Sequence, residues 1–422
     1  MDKNYQIDTE ENRAFMKEMC QELLDFGRQF PSPGGSAYYL NEMGLPWKDR
    51  NRETWITCRM IHSYCLGALL GYKDCRDLAI QGLKGLQGEL KDREHGGWYP
   101  GLTPQGVPLS GKKCYEHAFV ILGASSGILA ECPGAEELLE EALQVFDRYF
   151  WQEEEGLACD TWNTEFTLRD PYRGINANMH TVEAFLAVAD VTGREKYRER
   201  AGRIIRHVGR WAEENDWRLP EHFTQDWVPD YEYHRECPDD PFKPYGATPG
   251  HGIEWARLIL QWALSSDCST SGASDDLGRE DWVATAEHLY ERAIRDGWYG
   301  DGKAGIVYTT DWSGKPIVRD RMHWTLAEAI NTAALLYRVT AKQTYADQYG
   351  AFMEYLDQYV LDRSCGSWLP QLDENNELTD TVWPGKPDIY HALQATLIPY
   401  LEPKWSVGRA VKEFSPLWKC LV

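Results

Sequence analysis

Residues 174–215 read GINANMHTVEAFLAVADVTGREKYRERAGRIIRHVGRWAEEN, and they contain two helices of opposite character. The first, over 179–191, is apolar or small nearly all round, which predicts burial on most sides. The second, over 194–215, is amphipathic and heavily charged, as expected of a helix with one face in water. A two-residue Thr-Gly link joins them. The same alternation runs along the chain. Helical periodicity predicts twelve helices, over 11–29, 54–70, 74–89, 114–131, 134–150, 179–191, 194–215, 251–265, 281–296, 322–338, 342–361 and 388–400. The odd-numbered ones are charged, as in GAEELLEEALQVFDRYF. The even-numbered ones are apolar, as in YEHAFVILGASSGILA, GIEWARLILQWALSS, WTLAEAINTAALLY and YHALQATLIPYL.

The connections alternate too. Links from an even helix to the next odd one are mostly two or three residues. Links from odd to even run to about 20–35, far beyond an ordinary helix–helix connection. They carry turn and hairpin signals such as LTPQGVPLSG, DWSGKPIV and LDENNELTD. VTGREKY at 191–197 recurs as VTAKQTY at 339–345, a spacing of two hairpins. Six hairpins with buried inner helices predict an all-α protein, an (α/α)6 barrel with its long loops on one rim, where function is expected. An open solenoid would not explain inner helices so uniformly apolar. No linker divides the chain, so 1–422 reads as a single catalytic domain, with 265–281 an exposed loop inside the array.

Composition narrows the function. There are 18 Trp and 23 Tyr against 12 Phe, a balance suited to stacking on a partly polar ligand such as a sugar ring. A net charge of −22, spread along the chain, argues against nucleic acid or anionic membrane as partner. Mean hydropathy is −0.54, and no apolar run approaches the roughly 20 residues of a membrane span. The polar, acidic start MDKNYQIDTEENR lacks a secretory h-region. The 11 cysteines are scattered without C-x-x-C spacing, which reads as reduced thiols in a cytoplasmic protein.

Each even helix has a histidine in or beside its first turns: His62, His117, His180, His251, His323 and His391. A lone histidine on an apolar helix is most often a satisfied core residue; six facing one rim are harder to dismiss as a set. His251 and Glu254 are three apart and share a face, so the carboxylate can orient the imidazole. Asn176 and His180 flank one helix start, with Glu183 a turn on. Trp324 and Glu328 are four apart. Arg59 interrupts an apolar helix, Tyr115 opens another, and His391 opens the last. His62 and His117 read as structural. Several imidazoles with an Arg and a Tyr suit proton abstraction beside a carbonyl, since imidazole titrates near neutrality. Glycoside hydrolysis would want two flanking carboxyls; Glu254 and Glu328 could serve, but the histidines would go unexplained. There is no H-E-x-x-H, Walker, Rossmann or G-x-S-x-G pattern, and neither metal nor cofactor is expected.

At these residues the sequence resembles the N-acylglucosamine 2-epimerase superfamily, within it the aldose–ketose isomerases acting on D-mannose and related sugars. The resemblance covers essentially the whole chain. It is carried by TWITCRM, KKCYEHAF, NANMHTVEA, PYGATPGHGIEWARL, HWTLAEA and GKPDIYHALQA. It implies an (α/α)6 barrel and metal-free proton transfer through a cis-enediol. By position it implies His251 and His391 as the acid–base pair, with Glu254 supporting His251. Arg59, Tyr115, Asn176 and His180 would bind sugar hydroxyls, and Trp324 and Glu328 would complete the pocket. Pro241, Pro370 and Pro387 stand where the sulfoquinovose isomerases place sulfonate-reading residues, which favours a neutral hexose. The expected reaction is D-mannose to D-fructose, with D-lyxose and D-xylulose as further substrates. The alternatives are a mannose–glucose 2-epimerase, an (α/α)6 glycosidase and a non-catalytic carbohydrate-binding regulator. Trp98, Trp255, Trp312, Trp368 and Trp383 are expected near the pocket, and Trp211 and Trp282 in the core.

Overall fold

In a computed structural model describing residues 5–265 and 278–420, the apolar helices are the buried ones. The helices are α1 (Glu10–Phe26), α2 (Thr54–Leu70), α3 (Cys75–Gln87), α4 (Cys114–Leu129), α5 (Ala135–Val145), α6 (Ile175–Thr192), α7 (Glu195–Glu214), α8 (Pro249–Ser265), α9 (Arg279–Gly297), α10 (His323–Thr340), α11 (Gln343–Tyr355), α12 (Tyr390–Leu397) and α13 (Val407–Cys420). All twelve expected helices are present. The thirteenth, α13, was not among the expected helices, and it runs through Pro416. Helices α5 and α11 end early and widen into five-residue π-helical turns, Phe146–Phe150 and Leu356–Val360. The exposed loop expected at 265–281 lies mostly outside the described residues.

The described chain forms two compact units. The first comprises Met1–Glu22, Ile205–Pro384 and His391–Lys404; the second comprises Leu23–Ile204, Gly385–Tyr390 and Trp405–Val422. In the first, α8 packs on α9 and α10, and α10 on α11. In the second, α2 and α4 pack together, flanked by α3 and α5, with α6 on α4 and α13 against α2, α4 and α6. Short links are possible where a left-handed residue stops the helix sharply. Gly193 (φ 70°) ends α6, and Ala341 (φ 56°) does the same after α10 at the matching place of the repeated VTG/VTA motif.

Each long loop contains one copy of the same tight turn. Its first residue is Asn41, Thr103, Asn163, Thr224, Asp311 or Asp373, and the residue three further on donates its N–H back to that carbonyl. These fourth residues, Gly44, Gly106, Phe166, Trp227, Gly314 and Asn376, are all left-handed. The three turns read from the sequence are those of Gly106, Gly314 and Asn376; Gly44 marks a fourth that was not singled out, and Phe166 and Trp227 conceal theirs. Loops then pair with their neighbours. In the second unit Arg52–Glu53 pairs with Gly101–Leu102, and Lys112–Lys113 with Thr161–Trp162. In the first, Ala247 pairs with Thr310, and Arg321–Met322 with Gln371–Leu372. These short pairings lie just ahead of α2, α4, α8 and α10.

Candidate active site

Helix α8 starts where the 247–310 pairing ends. Gly246 turns the chain into that pairing at φ +88°, and a Cβ there would lie 2.1 Å from the Thr310 carbonyl oxygen. Gly246→Ala is therefore expected to lower stability by more than about 2 kcal/mol and to reduce turnover, as checked by urea unfolding and an activity assay on the same sample. Pro249 then opens the helix, a position where its missing N–H costs nothing. Gly250 comes next because a Cβ would meet the Trp324 ring at 2.6 Å. The missing side chain lets the indole lie against the start of α8. On α10 the backbone N–H of His323 donates to the Pro370 carbonyl at 3.1 Å, placing Trp324 and Glu328 on successive turns. At α12 the Asp388 carboxylate accepts the Tyr390 N–H at 2.8 Å, so His391 is the second helical residue.

In the first unit these helix starts assemble two imidazole–carboxylate dyads around one tryptophan. His251 Nδ1 is 2.8 Å from Glu221 Oε2, and His391 Nδ1 is 3.0 Å from Glu328 Oε1. The Trp324 ring centre lies 5.2 Å from that of His251 and 5.9 Å from that of His391, tilted to both. With a carboxylate on Nδ1, each ring carries its proton there and leaves Nε2 as the working nitrogen. Both dyads are buried.

Glu254 does not support His251 as expected. It faces Arg257, whose Nη2 is 3.3 Å from Glu254 Oε1, while Arg257 Nε is 2.6 Å from Glu328 Oε2. The helical spacing that places Glu254 a turn beyond His251 places Arg257 a turn beyond Glu254, and the imidazole turns to the Glu221 carboxylate instead. Burial alone would raise the Glu328 carboxyl, but Arg257 and His391 outweigh it and hold it below the usual carboxylate range. Donor atoms of Glu254, Glu328 and His391 lie within 4.8 Å of one another, close enough to share a metal ion. The Arg257 guanidinium already bridges the two carboxylates, so a metal would have to displace it.

The second unit holds a polar cluster boxed by aromatic rings. Arg59 donates to the Tyr115 hydroxyl at 2.9 Å and pairs with Asp388 at 3.4 Å. Its guanidinium lies 4.8 Å, 4.8 Å and 4.9 Å from the ring centres of Trp55, Phe119 and Tyr390. On α6, His180 Nδ1 is 3.2 Å from Glu183 Oε2, and the Tyr390 hydroxyl donates to Glu183 Oε1. The two asparagines of NANM separate cleanly. Asn178 is spent on the Ala158 and Gly174 backbone. Half-buried Asn176 has no side-chain hydrogen bond among the described residues.

Other sequence candidates are structural. His117 accepts the Trp98 N–H on Nε2 and donates from Nδ1 to the Lys113 carbonyl, and burial pushes it down to about 3. His62 pairs with Ser126, and His323 bonds the Pro370 carbonyl. Trp98, Trp255 and Trp368 are buried. Sequence reasoning missed Glu221, Arg257, Asp388 and Tyr390.

A family profile described as N-acylglucosamine 2-epimerase (GlcNAc 2-epimerase) matches residues 34–395, and the chain belongs to that family. Its all-α fold is the (α/α)6 barrel of these sugar isomerases and epimerases. Among its relatives, the D-mannose isomerase of Pseudomonas cannabina pv. alisalensis is 44% identical over 375 residues, covering 88% of this chain and 89% of that one. The D-mannose isomerase of Thermobifida fusca is 41% identical over 394 residues, covering 92% and 94%. A crystal structure of D-mannose isomerase matches with a TM-score of 0.82 at 26% identity, over 92% of this chain and 97% of that one.

Proposed function

We propose that this chain is a cytoplasmic aldose–ketose isomerase interconverting D-mannose and D-fructose, with D-lyxose and D-xylulose as further substrates, working as one catalytic domain without metal or cofactor. The substrate rests on the relatives named D-mannose isomerase at 41–44% identity. The observation that carries the chemistry is the pair of imidazoles about Trp324, each with Nδ1 held by a buried carboxylate. His391 Nε2 takes the C2 proton of the open-chain aldose. The C–H electrons form the C1–C2 double bond and the carbonyl oxygen O1 gains a proton, giving the cis-enediol. O2 then loses its proton, C2 becomes the carbonyl, and His391 returns a proton to C1. His251 opens the sugar ring and moves protons at oxygen. Trp324 offers a π face to the sugar C–H groups. Arg59, Tyr115, Asn176 and His180 are proposed to hold hydroxyls.

A metal-free reaction is supported by Arg257, which supplies the positive charge beside Glu254 and Glu328. That arrangement also disfavours a glycosidase, whose acid must stay protonated near neutrality; a carboxyl bound to arginine does not. The cytoplasmic reading is supported by nine free cysteines among the described residues; no described helix is long and apolar enough to cross a membrane. The test is incubation of EDTA-treated protein with D-mannose in deuterated water, followed by NMR. Fructose should appear, with deuterium at C1 wherever the base exchanges with solvent before returning its proton. Glucose labelled at C2 would make the protein an epimerase. Sugar release from a disaccharide without monosaccharide turnover would sink the isomerase reading.

A further inference from the structure

The two dyads differ in what stands behind the carboxylate. Glu221 Oε1 is buried without a hydrogen-bond partner among the described residues. Glu328 is fully buried with both oxygens engaged, Oε1 by His391 and Oε2 by Arg257. Arg257 is itself 1% exposed and comes from α8, whereas Glu328 comes from α10 and His391 from α12. One guanidinium edge thus ties a carboxylate on its own helix, Glu254, to the carboxylate that grips the proposed base. Such a cluster is costly to desolvate, and an apolar replacement would fill the same space. Its placement against a proposed catalytic imidazole points to a chemical use.

We infer that Arg257 is a positioning residue of the reaction: by fixing Glu328 as an anion it keeps the His391 proton on Nδ1 and leaves Nε2 free to accept the substrate proton. The inference rests on the isomerase reading above, in which His391 is the base. Its logic is tautomeric. An ionised Glu328 can only accept, so the imidazole must donate to it from Nδ1. Without Arg257, a carboxyl in so dry a place takes up a proton. The neutral acid then donates to Nδ1, the ring proton moves to Nε2, and the nitrogen facing the substrate can no longer act as a base. The guanidinium is suited to this because two of its N–H groups meet two different carboxylates along one edge, which an ammonium cannot copy. A lysine would restore the charge but only one contact.

The test uses Arg257→Gln and Arg257→Lys with the parent enzyme as control, each assayed for D-mannose turnover and for its 15N-histidine NMR spectrum. In Arg257→Gln, kcat should fall about 10²–10³-fold, as expected for a base in the wrong tautomer, with KM within about threefold. The His391 signal should shift to the Nε2-protonated form. Arg257→Lys should keep the Nδ1-protonated form and recover at least about tenfold in kcat over Arg257→Gln. A kcat within threefold of the parent in Arg257→Gln, or a lysine variant no better than the glutamine one, would overturn the inference. If Arg257→Gln does not fold, the lysine variant decides: an Nε2-protonated His391 there overturns the inference, and an Nδ1-protonated one with measurable turnover supports it. A parent enzyme that does not isomerise mannose would count against the proposed function instead.

Discussion

Replacing His391 by Asn is expected to lower kcat for D-mannose turnover by about 10³–10⁴-fold, with KM and melting temperature close to the parent values. The magnitude is that of a general base acting at carbon with no other group placed to replace it. Asparagine is the informative choice because its amide can still donate to Glu328 Oε1, the acceptor His391 Nδ1 now engages at 3.0 Å. The buried carboxylate then stays satisfied. His391→Ala would remove that donor and add about 1–3 kcal/mol of instability, confusing a catalytic loss with a folding one. Two measurements separate the possibilities. Exchange of the mannose C2 proton with deuterated solvent should fall with kcat, because the same nitrogen removes that proton. The overall tryptophan fluorescence and the thermal transition should be little changed. A variant that keeps more than a tenth of parental turnover would remove His391 from the chemistry and leave it as the partner of Glu328.

The fold was legible because it rests on one local contrast repeated six times. Helices such as α4 and α6 are apolar all round, helices such as α7 are striped, and burial follows composition directly. The loops were legible only where the turn chemistry was explicit: Gly106, Gly314 and Asn376 announce a left-handed residue, whereas Phe166 and Trp227 adopt one without saying so. At the site, spacing within a helix located the right helices but chose the wrong partner for His251. Three residues of separation guarantees a shared face, but it does not say which of two acceptors an imidazole will meet when one of them comes from a loop. Glu221 lies 30 residues before His251, and no periodicity connects them. Glu221 stands three residues before Thr224, the first residue of its turn, and Asp160 holds the same place before Asn163 in the preceding loop. Those are the two turns that end in Trp227 and Phe166, so no turn signal set a register in which the two carboxylates could be compared. Arg257 was hidden differently. An arginine in an otherwise apolar helix was noticed at position 59 and overlooked at 257, although the physical question, where its counter-charge lies, is the same for both.

The second large effect concerns His251, and the decisive form of the test is a cycle with Glu221. His251→Ala is expected to lower kcat about 10²–10³-fold, less than the His391 substitution because proton transfers at oxygen can be taken over in part by water. Glu221→Gln should cost about 10²-fold by itself. The amide can present its NH2 to Nδ1, which forces the ring proton onto Nε2 and reverses the dyad's polarity. If the two residues act only through one another, the double variant His251→Ala/Glu221→Gln should be no slower than His251→Ala alone, since a carboxylate with no imidazole to orient has nothing left to contribute. Independent losses that multiply would mean that Glu221 acts on the substrate directly, through the oxygen Oε1 that has no partner among the described residues. Stability gives the second reading of the same cycle. His251→Ala strips Glu221 of its one hydrogen-bonded partner among the described residues and leaves its buried carboxylate without that donor, whereas Glu221→Gln keeps a bond and removes the charge. The single alanine variant should therefore be less stable than the double by about 1–3 kcal/mol in urea unfolding. An alanine variant as stable as the double would contradict the dyad, because Glu221 would then be satisfied by something other than His251.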